Sequence, residues 1–253
     1  MGTAIAGVTI VGLSVLAALV GFVLVERLCA REKWQQHNDV AGFIYAVLGV
    51  VYAVLVAYVV IVVWQDFSAA HLTTQQEANQ VADLYDLADQ LPAPSDARVR
   101  DMARAYTRSV IDDEWPLLDR GQASPRTTEL GHELGRTLWA VELQTARDQV
   151  IYDKALTLYQ GLQDNRRLRL YQSRDGLHPL VWTILIAGAI VTVAFTYLFG
   201  LDNTRAHALM IAALAGTIAA ILFMIMATDY PYSGDVRVLP APFELVLRTM
   251  DGP

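Results

Sequence analysis

Three adjacent carboxylates in the middle of the chain have the residue types of a cation site. Asp112, Asp113 and Glu114 follow one another directly, and carboxylate oxygens are the ligands that hard divalent cations such as Ca²⁺ prefer. The surrounding residues lack the ligand spacing of a calcium loop. Because acidic residues spaced along predicted helices usually face water, a solvated helical surface is the favoured interpretation.

A Glu-x-x-His pair, Glu129 and His132, is the second candidate. A di-iron bundle needs two copies of this motif and two further glutamates, and the sequence has one copy. A zinc protease would need a second histidine where Arg136 stands. Since glycine-rich phosphate loops and nucleophile–base pairs are also missing, the sequence predicts no catalytic site, no metal and no cofactor, and an enzyme is the third choice of function.

The cysteine count and the net charge argue against further kinds of site and partner. Cys29 is the only cysteine, so no disulfide can form within the chain and no cysteine-based metal site is expected. The formal net charge is −7, which argues against a nucleic-acid partner because such partners require a basic face.

Four long runs without Asp, Glu, Lys or Arg dominate the chain, of which 54% is hydrophobic. A bilayer core needs about 20 apolar helical residues. The runs that meet this length are Met1 to Val25, Val40 to Gln65, Gly176 to Leu201 and Ala206 to Thr228. They predict an all-α membrane protein, with four transmembrane helices arranged as two hairpins that flank a helical extramembrane domain.

The predicted organisation has four parts. They are a transmembrane hairpin (1–65), a helical extramembrane domain (66–175), a second hairpin (176–228) and a C-terminal turn with a short helix from about Pro242 (229–253). In the extramembrane domain the second helix continues until Pro92 stops it. Another helix runs from Ser95 to about Glu114, and a third starts at Ser124 and Pro125, a strong start signal, and continues to about Gln163.

Small side chains form a stripe along the second predicted helix. Ala46, Gly49, Ala53 and Ala57 recur every three or four residues, which places them on one face. The fourth helix repeats the pattern with Ala208, Ala212, Gly216 and Ala220. Such stripes allow close helix packing in lipid. Alternatively, the stripe of the second helix faces a pore, with Tyr45, Tyr52 and Tyr58 supplying hydroxyl groups nearby.

The distribution of basic residues bears on orientation. Arg27, Arg31 and Lys33 lie between the first two helices, and the positive-inside rule then places that turn in the cytoplasm and the extramembrane domain outside. A basic segment before the third helix opposes this; it contains Arg166, Arg167, Arg169 and Arg174. We favour the extracytoplasmic side for the extramembrane domain.

Three segments together resemble the bestrophin-like family of bacterial membrane proteins. They are Asp229-Tyr-Pro231-Tyr-Ser233-Gly234 after the last helix, Glu114-Trp115-Pro116, and Arg167-Leu-Arg169-Leu with Ser173 before the third helix. The resemblance covers nearly the whole chain. It implies location in the bacterial plasma membrane and assembly like that of true bestrophins, which are pentameric anion channels lined largely by the second helix. Their topology would place the extramembrane domain in the cytoplasm.

Two functions follow as hypotheses. The first is a homo-oligomeric ion channel for small anions, lined by copies of the second helix, with the lipid bilayer and small inorganic ions as its partners. Four helices in one chain are too few to enclose a wide polar path, so this hypothesis requires self-association. The resemblance implies five subunits. The alternative is a membrane-anchored structural or sensing module whose helical domain binds a partner protein.

Overall fold

The computed structural model of the protein describes residues 2–28, 38–199 and 203–252. These ranges contain helices and turns and no strand. The helices are α1 (Gly2–Leu28), α2 (Asn38–Ala88), α3 (Ser95–Ser109), α4 (Pro125–Trp139), α5 (Ala146–Gln172), α6 (Pro179–Thr196), α7 (Thr204–Thr228) and α8 (Ala241–Asp251). The all-α prediction is confirmed. Cys29, Arg31 and Lys33 lie outside the described residues.

Four of the described helices are long and apolar enough to cross a membrane: α1, α2, α6 and α7. The chain divides into two compact units. Unit one contains residues 1–65 and 176–229, and unit two contains residues 66–175 and 230–253. Unit one therefore holds α1, the first part of α2, α6 and α7. Its surface is rich in exposed valine, leucine and isoleucine, as expected for helices solvated by lipid.

The ends of the two later membrane helices follow from local chemistry. The ring nitrogen Nδ1 of His178 accepts a hydrogen bond from the Leu180 amide at the start of α6 (3.2 Å), and Pro179 occupies the first turn, where no amide donor is needed. The Asn203 side chain caps α7 in the same way. Helix α6 ends at Thr196 rather than at the predicted Leu201, because the next amides bond back three residues instead of four.

Small residues bring α1 and α7 together within unit one. A Cβ added to Gly7 would lie 2.6 Å from the Phe223 ring, and one added to Gly216 would lie 3.4 Å from Val15. The buried small residues of α7 are Ala215 and Ala219, each one position before a member of the predicted stripe. The face of α7 around Ala215, Gly216 and Ala219 therefore packs against other helices of the same subunit.

Unit two is a helical domain formed by the rest of α2 with α3, α4, α5 and α8. Its core contains the fully buried side chains Leu84, Tyr106, Leu134, Leu138, Leu162 and Phe243. The Ser124 hydroxyl accepts from the Thr127 amide at the start of α4 (3.2 Å). The predicted continuation of this helix to Gln163 is wrong: Trp139 ends α4, and a capping box of Thr145 and Asp148 starts α5.

A change of helix type follows α3. Residues Val110–Glu114 form a π-helical turn, and Trp115–Arg120 form a 3₁₀ helix that ends at Gly121, whose φ is 62°. Pro116 has no amide hydrogen, so a regular α-helical hydrogen-bond ladder cannot pass through it. The wider π turn rotates Glu114 and Trp115 inward, and both side chains are buried.

Candidate functional site

The membrane part of α2 borders an apolar groove in unit one. The groove has a volume of about 590 Å³. Its lining is Tyr45, Gly49, Tyr52, Ala53, Val56, Ala57, Val60 and Ile61 of α2, Thr192 of α6, and Leu214, Ile218, Ile221 and Met224 of α7. Five of the six pore or packing residues predicted on this helix thus share one groove. The sixth, Ala46, is exposed.

The two tyrosines of this groove face α6. The Tyr52 hydroxyl donates to the Leu185 carbonyl oxygen (3.1 Å), and the Tyr52 side chain is buried among Val56, Val59 and Leu185. The Tyr45 ring stacks on Phe195 with ring centroids 5.8 Å apart. The Tyr52 hydroxyl is thus hydrogen-bonded within the subunit.

The small-residue stripe has different surroundings from the tyrosines. Ala46, Ala53 and Ala57 are exposed, and a Cβ added to Gly49 would meet no atom within 4 Å. On the described part of the chain, the stripe is therefore a face of α2 that other parts of unit one leave largely uncovered. It can contact lipid, another subunit or the contents of a pore.

Unit two contains a buried network of two carboxylates and two guanidinium groups. Arg169 donates through Nε to Oε2 of Glu77 (2.7 Å) and through Nη2 to Oε1 of Glu114 (2.8 Å). Arg166 donates through Nη2 to Oε2 of Glu114 (2.5 Å). The exposed fraction of the side chain is 0% for Glu77, Glu114 and Arg169 and 8% for Arg166. The charges balance, as buried ions require.

Neutral groups complete the network. The Tyr106 hydroxyl donates to Oε1 of Glu77 (2.8 Å), and the Ser124 amide donates to Oε2 of Glu114 (3.1 Å). The Arg169 guanidinium also lies 5.2 Å from the centroid of the Trp115 ring, which allows a cation–π interaction. The network joins α2, α3, the π turn and α5, so it fixes the core of unit two.

The network changes the acidity of its members. Burial would raise the pKa of Glu114, but the charges and hydrogen bonds of Arg169 and Arg166 outweigh it and hold this pKa below its usual value. Burial, together with the Glu77 charge, raises the pKa of Tyr106 well above its usual value. Burial opposes the charged form of Arg169, yet Glu77 and Glu114 keep its pKa well above the usual value. Glu114 and the two guanidinium groups are therefore ionised at neutral pH.

The structure brings some of the predicted motif residues together and separates others. Glu114, Trp115 and Arg169 belong to the network. Arg167 is exposed and pairs with Asp164, and Pro116 is exposed in the 3₁₀ helix. The sequence pattern predicted no site role for Glu77, Tyr106 or Arg166. One signal was present, because Arg166 and Arg169 are three residues apart and therefore lie on one face of a helix.

The three adjacent carboxylates considered as a cation site diverge. Glu114 points into the network, and Asp112 is exposed. Asp113 accepts a hydrogen bond from the Ser109 hydroxyl (2.8 Å) and lies 3.6 Å from Arg126. Within the described ranges, no group of three His, Cys, Asp or Glu residues is placed to hold a metal ion.

The tail motif has well-defined contacts in each unit. In unit one, Asp229 accepts from the Leu177 amide (2.7 Å) and from the Trp182 indole nitrogen (3.1 Å). In unit two, the Val238 amide donates to the Pro231 carbonyl oxygen (2.8 Å), and the Ser233 hydroxyl donates to the Asp119 carbonyl oxygen (3.2 Å).

The turn itself is closed by Gly234, whose φ of 73° favours glycine. Next to it, the Tyr232 ring packs edge-on against Trp115, with ring centroids 5.9 Å apart. These contacts hold the tail on the core of unit two.

Comparisons with known proteins agree with this architecture. The family model of the bestrophin-like domain matches residues 12–243. A variant of a bacterial bestrophin homologue from Klebsiella pneumoniae has a similar structure, with a TM-score of 0.73, 13% sequence identity, and coverage of 96% of this chain and 99% of that one. The homologue solved by zinc phasing gives a TM-score of 0.71 at 13% identity, with 96% of each chain covered.

A second variant of the Klebsiella pneumoniae homologue gives a TM-score of 0.73 at 12% identity and covers 96% of this chain and 97% of its own. At these identities the likeness establishes the fold. No curated protein sequence matches the chain.

Proposed function

The chain belongs to the bestrophin-like family, and from this premise we propose that it forms an oligomeric ion channel whose pathway is lined by copies of α2. Unit one contributes four candidate membrane helices, too few to enclose a wide polar path alone. The proposal therefore requires self-association, and the family resemblance favours five subunits.

The observation that carries the proposal is the uncovered small-residue face of α2. Ala46, Gly49, Ala53 and Ala57 leave room beside the helix, and the described membrane part of α2 has no charged side chain. A pathway lined by small apolar residues passes ions only if it is wide enough to hold water. Several copies of α2 arranged around an axis would provide that width.

Selectivity for small anions is part of the proposal, whereas exposed acidic side chains on unit two favour selectivity for cations. The part of α2 in unit two exposes the carboxylates of Asp83 and Asp86, and Asp89 is exposed in the turn directly after this helix. If these side chains line the entrance, their field will concentrate cations and disfavour anions. The reversal potential under a salt gradient decides between the two: a value near the chloride equilibrium potential supports anions, and a value near the cation equilibrium potential contradicts them.

The mass of the protein in nanodiscs, corrected for bound lipid, is the first test of the channel. A closed ring of subunits supports the proposal, and a monomer or simple dimer contradicts it. Ion flux in proteoliposomes is the second test, and no flux from a correctly folded ring would also contradict it.

Lining by α2 is tested with single cysteines on a Cys29→Ser background. Ala53→Cys lies on the stripe, and Val51→Cys lies on another face of α2, with the valine 66% exposed. A charged thiol reagent should block flux through Ala53→Cys and leave flux through Val51→Cys unchanged. The reverse pattern, or equal block, would assign the pathway to another surface.

The location that we propose is the bacterial plasma membrane, with unit two on the extracytoplasmic side. Arg166 and Arg169, two of the four basic residues that oppose this orientation, are buried in ion pairs. Labelling of Lys154→Cys in intact cells by an impermeant reagent tests the side, because Lys154 is exposed. Protection of this cysteine until the cells are lysed would place unit two in the cytoplasm, as bestrophin topology implies.

Exposed apolar side chains on unit two favour a second candidate function, an anchored module that binds a partner protein. Trp139 is 63% exposed at the end of α4, and Val150 is 70% exposed near the start of α5. Aromatic residues of this kind often dominate protein interfaces. A folded protein without ion flux, together with a partner whose binding is lost in Trp139→Ala, would select this function over the channel.

A further inference from the structure

Gly188 on α6 lies directly under the ring of Tyr52 on α2. A Cβ added to Gly188 would be 2.6 Å from both Cδ2 and Cε2 of that ring. One helical turn away, the Tyr52 hydroxyl donates to the Leu185 carbonyl oxygen (3.1 Å). The ring therefore occupies the space that any side chain at position 188 would fill.

From this contact we infer that Gly188 is a positioning residue for the conduction path: its missing side chain admits the Tyr52 ring and thereby sets the distance between α2 and α6. The inference rests on the proposed channel function. Gly188 itself is not placed among the residues that line the groove, so its effect on ions acts through α2.

The neighbouring contacts show why the position of α2 depends on the contact between Tyr52 and Gly188. Tyr52 is 8% exposed, whereas Val51 and Val54 beside it are 66% and 65% exposed. Toward the start of α2, Tyr45 stacks on Phe195. Tyr45 and Tyr52 are about two helical turns apart, as are Phe195 and Gly188. The two helices therefore meet in an antiparallel register, with an aromatic pair at one contact and the tyrosine on glycine at the next.

The expected displacement follows from contact distances. Carbon atoms in favourable contact are about 3.5 to 4 Å apart, so a methyl group at position 188 requires a shift of about 1 Å. The ring belongs to a buried cluster with Val56, Val59 and Leu185, and this packing limits its rotation. The opposite side of α2 is exposed, so the helix moves more easily than the packed ring. Ala53 and Ala57 then move with the helix.

The test combines conductance with a distance measured independently of ion flow. The variants are Gly188→Ala, Gly188→Val and the double variant Gly188→Ala with Tyr52→Leu. Gly12→Ala serves as the matched control, because it adds the same methyl group to a membrane helix where no atom lies within 4 Å. Spin labels at Val51→Cys and Ile190→Cys on a Cys29→Ser background report the separation of α2 and α6, with labelled subunits diluted among unlabelled ones.

We expect Gly188→Ala to increase the label separation by about 1 Å and Gly188→Val to increase it further. Unitary conductance should change in both Gly188 variants, because Ala53 and Ala57 move with α2. Tyr52→Leu should return both quantities toward wild type in the Gly188→Ala background, and Gly12→Ala should change neither.

Two results overturn the inference. One is an unchanged label separation in both Gly188 variants, and the other is an unchanged conductance despite a shifted helix. A wild-type protein that passes no ions has a different meaning: it rejects the channel and with it the role in conduction. The label distances still decide in that case whether the Tyr52–Gly188 contact sets the separation of the helices.

Discussion

Arg169 and Glu77 form a two-point ion pair inside unit two, with Nε 2.7 Å from Oε2 and Nη2 3.0 Å from Oε1. Both side chains are 0% exposed. Planar guanidinium and carboxylate groups match each other in this geometry. Because Arg169 also binds Glu114, the pair connects α2 to the π turn as well as to α5.

Removal of one charge from this pair should destabilise the protein strongly. Glu77→Gln leaves the Arg169 guanidinium buried with less compensating charge, and such changes cost about 3 to 5 kcal/mol of unfolding free energy. Chemical unfolding in detergent micelles, followed by circular dichroism, measures the loss.

Arg167→Ala is the matched control for Glu77→Gln. Arg167 lies between the two buried arginines in sequence, but its pair with Asp164 is exposed. Exposed pairs contribute about 0 to 1 kcal/mol. Equal losses in the two variants would contradict the central role of the buried network.

Glu114 should make the unfolding free energy depend on pH. Because Arg169 and Arg166 hold its pKa in the folded state below that of an unfolded glutamate, about 4.3, its contribution is present above about pH 4.3 and is lost as the pH falls through the lower folded value. Unfolding free energy measured from pH 6 down to acid should therefore decline in wild type.

The matching variant for this acid dependence is Glu114→Gln, which lacks the titrating group. It should be less stable at pH 6 and should lose less stability on acidification than wild type. Identical pH profiles for the two proteins would show that other carboxylates cause the acid dependence.

The sequence predicted the elements of this fold better than the contacts between them. Uncharged runs located the four candidate membrane helices, since length and polarity alone limit what can cross a bilayer. Ser124 and Pro125 located the start of α4 because helix starts depend on a few local groups. The break after Trp139 was missed, because the apolar pattern continues across it and the Thr145 cap was not used as a signal.

The buried network could be predicted only in part. Glu114 and Arg169 came from the family resemblance. The contact between Arg169 and Glu77 spans 92 positions of sequence, and periodicity along one helix carries no information on its partners. Tyr52 and Gly188 were missed as a pair for the same reason.

Two glycines of α1 give a direct test of helix packing in unit one. A Cβ on Gly7 would lie 2.6 Å from the Phe223 ring, whereas a Cβ on Gly12 would meet nothing within 4 Å. Gly12→Ala should leave stability unchanged or raise it by about 0.5 to 1 kcal/mol, because alanine favours the helix.

Gly7→Ala should instead lower the stability by about 1 to 3 kcal/mol through overpacking against α7. Thermal unfolding of both variants in the same detergent compares them. A Gly7→Ala protein as stable as Gly12→Ala would mean that α1 and α7 are not in close contact at this point.

Tyr232 should lower the stability of the protein at alkaline pH. Its hydroxyl donates to the Ala70 carbonyl oxygen (3.0 Å), and burial raises its pKa to about 12. An unfolded tyrosine has a pKa of about 10. The stabilisation is therefore complete below pH 10 and is lost between about pH 10 and 12, by roughly 2 to 3 kcal/mol.

Tyr232→Phe should flatten this decline, whereas Tyr230→Phe, at a side chain that is 45% exposed, should retain it. Unfolding free energy measured at intervals from pH 8 to 12 in the three proteins decides the point, since parallel curves would assign the alkaline loss to other groups.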